Sequence, residues 1–459
     1  MENNNNYLVN EKIGKLLIKF SIPCILSLLI SALYNIVDQI FIGNSNVGAI
    51  GNTATTIVFP LTCIALAFAL MLGDGAAAYM SLCLGKNYKT KVSKSVGNAT
   101  TLGIITSILF LIIAFPLLKN ILFLFGARTD LALEKSYEYG FIILFGIPFY
   151  ILGTMYNSII RADGRPQFAM ISMVAGAICN IILDAIFIFS LNMGLTGAAL
   201  ATIIGQIVSF IISVIFIIKP KCYRLKLNDF IIDKNVFVDI LKLGLSSFLT
   251  QISIVIISVV SMNMLSKYGL NSKYGSDDPQ AIIGVTMKIF TIFVNIAVGI
   301  AAGAQPIVGY NYGANKLKRV KDLYKKIVIS TIIVGAIATL LFQLAPGFVI
   351  QIFGSNSKNP DLYKEFGILS IRIYLLLIIF TLIQKVTAIF LQSIGKPYKA
   401  MILSLIRDVI VFVPATIIMP MFLGINGILW AAPIADIFGI VFTIIFTIIE
   451  LKKLKIQKI

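Results

Sequence analysis

Twelve predominantly apolar stretches, each long enough to cross a lipid bilayer, fill this chain from end to end. A spanning helix needs roughly 20 consecutive apolar residues. Breaking the sequence at its Gly, Pro and charge clusters gives spans at 15–42, 50–75, 95–118, 137–160, 168–190 and 195–218. A second set follows at 238–265, 280–305, 327–350, 366–391, 399–421 and 425–450. In lipid every backbone N–H and C=O must be satisfied within the protein, so these stretches are expected to be α-helices. No gap between them is long enough for a separate soluble domain. A chain that is 58% hydrophobic and 13% charged has too little polar surface to face water on all sides.

The gaps carry the charge. A net charge of +18 would suit a nucleic-acid partner, but Lys and Arg lie in short loops and no loop offers an aromatic-studded basic surface. Basic loops facing anionic lipid account for the excess, so membrane lipids are the expected partner and nucleic acid is not. Alternate loops hold Lys86/Lys89/Lys91/Lys94, Arg161/Arg165, Lys219–Lys226, Lys316–Lys326 and Lys396/Lys399, with Lys452/Lys453/Lys455/Lys458 at the tail. The intervening loops near Ser45 and Asn192 have no Lys or Arg. Both termini are therefore expected on the cytoplasmic side of the cell membrane, which requires an even number of spans. The polar start, MENNNNYLVNEKIGK, reads as a lead-in to a retained helix rather than a removable signal.

Several chemistries are excluded by residue type. The chain has no histidine, which removes imidazole metal sites, His-based triads and His proton relays. Its five cysteines form no CxxC pair and read as small apolar-core residues. HExxH, GxSxG and GxGD settings are absent, so the chain is not expected to be an enzyme. Nothing repeats as a pore loop.

What does repeat is half the chain. Gly75-Ala76-(x)8-Leu84-Gly85-Lys86-Asn87 corresponds to Gly303-Ala304-(x)8-Tyr312-Gly313-Ala314-Asn315, each at the end of the second span of its set. Gly164-Arg165-Pro166 matches Gly395-Lys396-Pro397, and Gly194-Leu195-Thr196-Gly197 matches Gly424-Ile425-Asn426-Gly427. The offsets are 228, 231 and 230 residues, in the same order. The expected fold is an all-α membrane protein with two parallel six-helix bundles, related by a pseudo-twofold axis along the membrane normal. The bundles are 1–218 and 236–459, joined by a basic cytoplasmic linker at 219–235. Two such bundles make a central cleft that rocking can open to either side, and one chain suffices, so a monomer is expected.

The chain resembles the multidrug and toxic compound extrusion (MATE) transporters. The likeness rests on Tyr34–Gly43, Gly73–Ser81, Leu84-Gly85, Arg161–Pro166, Asn180–Asp184 and Gly303–Pro306, and runs over nearly the whole chain. It looks closest to the bacterial branch that includes DinF-like and MepA-like exporters. The resemblance implies efflux of toxic organic cations and other amphipathic drugs, coupled to inward Na⁺ or H⁺, with no organic cofactor.

Charges inside spans cost roughly 2.5–3.5 kcal/mol each on insertion scales, so each needs a partner or a purpose. Asp38 lies about five residues before the outer end of span one, and Asp184 about six before the outer end of span five. Equal depth allows both to face one cavity. Tyr34 and Asn180 lie one turn inward on the same faces, and Thr202 can reach that level from span six. Two carboxylates in a low-dielectric pocket share a proton or hold a cation between them, so Asp38, Asp184, Asn180 and Thr202 form a possible Na⁺ site. In the family, the matching acidic residue of span one and polar pair of span five serve this role. The pair has no counterpart in the second half, where the equivalent positions fall near Ser261 and Pro414/Ala415. That half holds Lys288, Arg372, Lys385, Arg407, Asp408 and Asp436 instead. Arg407 and Asp436 either form a buried ion pair or line a substrate cleft, with Gln251 and Lys288 as further cleft candidates. Asp74 and Asp163 read as loop-ordering or gating groups. Arg372, Lys385, Lys288 and Arg407 also keep open a lipid-linked saccharide flippase, which needs a cationic cleft for pyrophosphate.

Overall fold

A computed structural model describes residues 7–456 except 46, 128, 271, 276 and 354–358. Lys458 of the basic tail lies outside the described residues, as does the side chain of Lys455. The regular elements are all helical. The first half runs α1 (Tyr7–Asn10), α2 (Ile13–Gly43), α3 (Gly48–Gly85), α4 (Lys89–Leu124), α5 (Asp130–Ala162), α6 (Pro166–Asp184) and α7 (Gly194–Ile218). The second runs α8 (Lys234–Gly269), α9 (Asp277–Gly313), α10 (Leu317–Leu344), α11 (Pro346–Phe353), α12 (Pro360–Tyr374), α13 (Ile378–Ser393), α14 (Pro397–Leu405), α15 (Phe412–Leu423) and α16 (Ile425–Ile456). Two π-helical segments, Ala185–Ser190 and Ile406–Val411, continue α6 and join α14 to α15. Eleven described helices are long and apolar enough to span a bilayer, and the α12–α13 pair makes a twelfth, bent by 48°. Large apolar side chains such as Ile108, Ile112, Ile337 and Ile444 stand exposed on their outer surfaces, as lipid contact requires. The chain is a multi-pass membrane protein.

Each repeated motif marks a helix boundary. Asn87 and Asn315 both take the left-handed conformation, with φ of 62° and 56°. Gly164 and Gly395 do so at 81° and 72°, and Gly194 and Gly424 also have positive φ, at 55° and 57°. A left-handed residue at a helix boundary lets the following N–H groups fold back onto the last carbonyls. Tyr88 N–H accordingly donates to Cys83 O and Lys316 N–H to Asn311 O, both at equivalent positions. The repeat is therefore one of backbone geometry as well as residue type.

Five segments depart from expectation. α3 and α9 continue to Gly85 and Gly313, past the expected ends at 75 and 305, because small residues such as Gly75–Ala78 and Ala301–Ala304 leave the helix unbroken. The ninth span ends at Leu344, and a separate helix begins at Pro346, which has no N–H to carry the ladder on. The tenth span is broken at residues 375–377. The eleventh is interrupted by its π-helical stretch, which uniform apolarity hides.

The halves meet along α3 against α8, α2 against α9 and α3 against α9. On the face that carries Tyr7, Glu450 and the basic loops, helix backbones touch directly. A Cβ at Gly244 would lie 1.7 Å from Met71 O, and one at Gly85 would lie 2.1 Å from Tyr310 O. The inter-half contact is therefore tight on this basic face. The linker is fixed to α4: Asn98 Nδ2 donates to Asp229 O and Ile231 O at 3.0 Å, and Lys94 pairs with Asp233 at 2.8 Å. Asp163, just beyond α5, accepts from the backbone N–H groups of Lys221 and Cys222 and pairs with Arg165, so it orders the linker start.

Candidate ion-coupling site

Asp38 projects from α2 three turns after Leu28, and Asp184 is the last α-helical residue before the π-helical segment. A π-helical turn inserts one residue and re-aims what precedes it, a feature frequent at functional sites. Here the Asp184 side chain is fully buried, and its carboxyl is a neighbour of the Asp38 carboxyl. Asp38 Oδ1, both Asp184 carboxyl oxygens and Asn180 Oδ1 are buried without a donor among the described residues. Four such oxygens are costly in an apolar interior unless a proton or cation joins them.

The expected neighbours are present. Asn180 lies one turn from Asp184 and within its reach, and its amide donates to Thr202 Oγ1 at 3.5 Å. Tyr34 is close to both carboxyls. Sequence reading missed Tyr139 of α5, a buried residue that lies close to Thr202 and to both carboxyls. Nothing in α5 signals it, because its partners lie on other helices. The donor set of Asp38, Asp184, Asn180 and Thr202 is all oxygen, which suits a hard monovalent cation as well as a proton. Among the described residues, no group of three or more Cys, Asp or Glu side chains could hold a metal ion.

The second-half charges form a closed network. Arg407 Nε donates to Asp436 Oδ1 and Nη1 to Asp408 Oδ1, both at 2.9 Å. Lys385 pairs with Asp408, and Thr381 Oγ1 donates to Asp436. Two cations meet two anions, so the cluster is neutral. Arg407 and Asp436 are both buried, with the guanidinium packed over Phe290 and Phe412. As placed they present no open wall, unlike Gln251, which is half-buried on α8. Lys288 is exposed and crosses between the halves, donating to Gln39 Oε1 at 3.1 Å beside Asp38. Arg372 is exposed at the level where Gln343 Nε2 donates to its carbonyl, near the end of α10.

Asp74 joins the halves on the basic side. Its Oδ1 accepts from Ser158 at 2.8 Å and from Arg161 at 3.4 Å, and its Oδ2 accepts from Ser247 of α8 at 3.1 Å. Gln392 of α13 holds Ser247 in turn at 3.3 Å and donates to Leu243 O at 2.7 Å.

The profile of the MatE family matches this chain over residues 23–186 and again over 247–418, one segment in each half. The chain belongs to the MatE family. Its members are transporters, and this chain is a transporter and not an enzyme. It is 25% identical over 442 residues to the multidrug export protein MepA of Staphylococcus saprophyticus, covering 94% of this chain and 92% of that one. It is 26% identical over 435 residues, with the same coverage, to MepA of Staphylococcus aureus strain MRSA252. Among solved structures, an outward-facing multidrug resistance MATE transporter of the MOP superfamily matches with a TM-score of 0.88 at 23% identity, over 98% of this chain and 99% of that one. A MOP superfamily transporter from Pyrococcus furiosus, described as having a binding pocket of reverse polarity, matches with a TM-score of 0.89, the same identity and the same coverage. The MatE member described here thus shares its fold with these structures over 98% of its length.

Proposed function

We propose that this MatE member is a secondary transporter that exports amphipathic, often cationic, organic compounds in exchange for inward H⁺ or Na⁺ by alternating access. The observation that carries the reading is the neighbouring Asp38–Asp184 pair, which with Asn180 presents four buried oxygens lacking a donor among the described residues. A coupling site must bind its ion in one state and release it in the other, so the ion-free site has to be costly in the closed pocket. Asp38 and Asp184 bind the proton or Na⁺, and Asn180 and Thr202 supply neutral oxygens. Tyr34 and Tyr139 wall the site from lipid. Gln251 and Lys288 are the substrate-facing candidates between the halves, while the neutral Arg407–Asp436 network fixes how the second half packs. The positive loops set the basic face, and with it both termini, on the cytoplasmic side. The first half, 1–218, then acts as an ion-sensing body against the second, 236–459, across the 219–235 linker, within one monomer.

The export proteins to which the chain is similar support drug-like substrates. The flippase reading has less support, because Asp408 and Asp436 neutralise Lys385 and Arg407 and leave no cationic cleft there. The deciding experiment expresses the protein in a host lacking its own efflux pumps and follows ethidium-type dye export under imposed Na⁺ or H⁺ gradients. Gradient-driven export that disappears in Asp38→Asn, with the variant still reaching the membrane, is expected. No export of any cationic dye, together with rescue of a lipid-flippase deficiency, would overturn the reading.

A further inference from the structure

A cavity of about 600 Å³ opens on the basic face at the seam between the halves, away from the carboxyl pair. Lys86 and Lys91 line it from the first half, and Lys242 and Lys396 from the second. None of these four makes a salt bridge among the described residues. Lys399 also lines the cavity but is taken by Glu450, and Asp239 is the one acidic residue in its wall. Tyr88 and Tyr398 stand at the cavity, 51% and 59% exposed, where aromatic rings suit the headgroup level of a bilayer. Two helices begin there: α4 after Tyr88 and α14 after Lys396, and neither has a side-chain cap. Uncapped first-turn N–H groups and the positive end of the helix dipole favour an anion.

We propose that this cavity binds a phosphate-bearing anion, and that the bound anion holds the halves together on the basic face. Four ammonium groups around one cavity repel each other across the seam, two from each side. A phosphate between them converts that repulsion into attraction for the closed arrangement only, since rocking the halves apart removes two of its partners. Basic pockets between membrane helices recognise anionic lipid headgroups by the same charge pattern. A phosphatidylglycerol-type headgroup and a soluble phosphate share this chemistry.

The test uses the full-length protein in neutral detergent and reads thermal unfolding during titration with dioctanoyl phosphatidylglycerol, dioctanoyl phosphatidylcholine or inorganic phosphate at constant ionic strength. A saturable rise of about 2–4 °C with the anionic lipid, none with the zwitterionic one, is expected. A rise with the lipid alone assigns the headgroup, and a rise with inorganic phosphate assigns a soluble phosphate. K86Q/K242Q/K396Q should lose the rise, with a lipid-free unfolding temperature no lower than the parent's, since removing three of the four ammonium groups relieves their repulsion. If that triple variant does not fold, single K86Q and K396Q should each shift the titration midpoint several-fold, and K396R should restore it. Alkylation of Cys83, which lines the cavity, should slow when the anion is bound; this second readout rests on the alternating-access reading, the thermal one does not. No rise with either anion, or an equal rise with phosphatidylcholine or in the triple variant, overturns the proposal.

Discussion

Gly244→Ala should open the basic face. At that residue α8 crosses α3 with no room for a side chain: a Cβ would sit 1.7 Å from Met71 O and 2.6 Å from Met71 C. Real Cβ atoms essentially never come within 3.0 Å of a neighbour, so the helices must separate by about 1.3 Å locally. Both obstructing atoms belong to backbone and cannot turn aside. Ser247 lies one turn along α8, and its 3.1 Å bond to Asp74 crosses the same seam. A separation of that size takes the bond beyond hydrogen-bonding range. A hydrogen bond to a carboxylate contributes roughly 1.5–3 kcal/mol, so losing about 2 kcal/mol from the closed state shifts the balance of states by about 30-fold. Cys83 reports the shift, being 5% exposed on α3 beside the seam. With Cys24, Cys63, Cys179 and Cys222 replaced by Ser, a charged maleimide should label Cys83 up to about 30-fold faster in Gly244→Ala than in its parent. Gly284→Ala is the control, because nothing lies within 4 Å of a Cβ there. Equal labelling in parent and Gly244→Ala, or an equal increase in Gly284→Ala, would refute the reasoning.

Other expectations follow from the same geometry. Asp74→Asn keeps the size but removes the charge that Ser158, Arg161 and Ser247 converge on; Cys83 labelling should rise several-fold, and an unchanged rate would show that the bond does not hold the seam. Asp184→Asn should leave the protein folded and abolish gradient-driven transport as Asp38→Asn does; wild-type rates in either variant contradict the coupling assignment. Arg407→Met leaves Asp408 and Asp436 buried without the cation between them, a loss of about 3–5 kcal/mol, so the detergent-solubilised variant should unfold at a clearly lower temperature; an unaltered transition sinks the network's structural role. The Lys94 ammonium, with the N–H groups of Asn235 and Val236, holds the Asp233 carboxyl below the usual carboxylate range. A lowered folded-state value means that linker docking is complete at neutral pH and is lost only as pH falls through that lowered range. Hydrogen exchange across residues 227–231, corrected for the intrinsic pH effect, should stay protected at pH 5; loss of protection there would count against the anchor.

Twelve spans, an even count and a tandem repeat were legible in the sequence because lipid imposes local rules. Each spanning helix must satisfy its own backbone, so its length and apolarity appear in consecutive residues. The helix boundaries at Asn87, Gly164, Gly194 and their repeats were legible for the same reason, since a backbone of positive φ favours Gly and Asn in any context. Asp38 and Asp184 stood out because a carboxylate inside a span is conspicuous on its own. Other features rest on contacts between residues far apart in the chain. The Tyr139–Thr202 approach joins two helices, and the bend at 375–377 occurs in sequence as apolar as its surroundings. Arg407 and Asp436 were readable as charges, and pairing was one of two readings. Only packing closed the pair with Lys385, Asp408 and Thr381 into a neutral buried cluster. The sequence by itself determined that this is a two-part helical membrane protein with an acidic pair in the first half. Tertiary structure decided which side chains touch and which face of the seam is closed, because helix rotation and crossing are set by the side chains of neighbouring helices rather than by the helix's own residues.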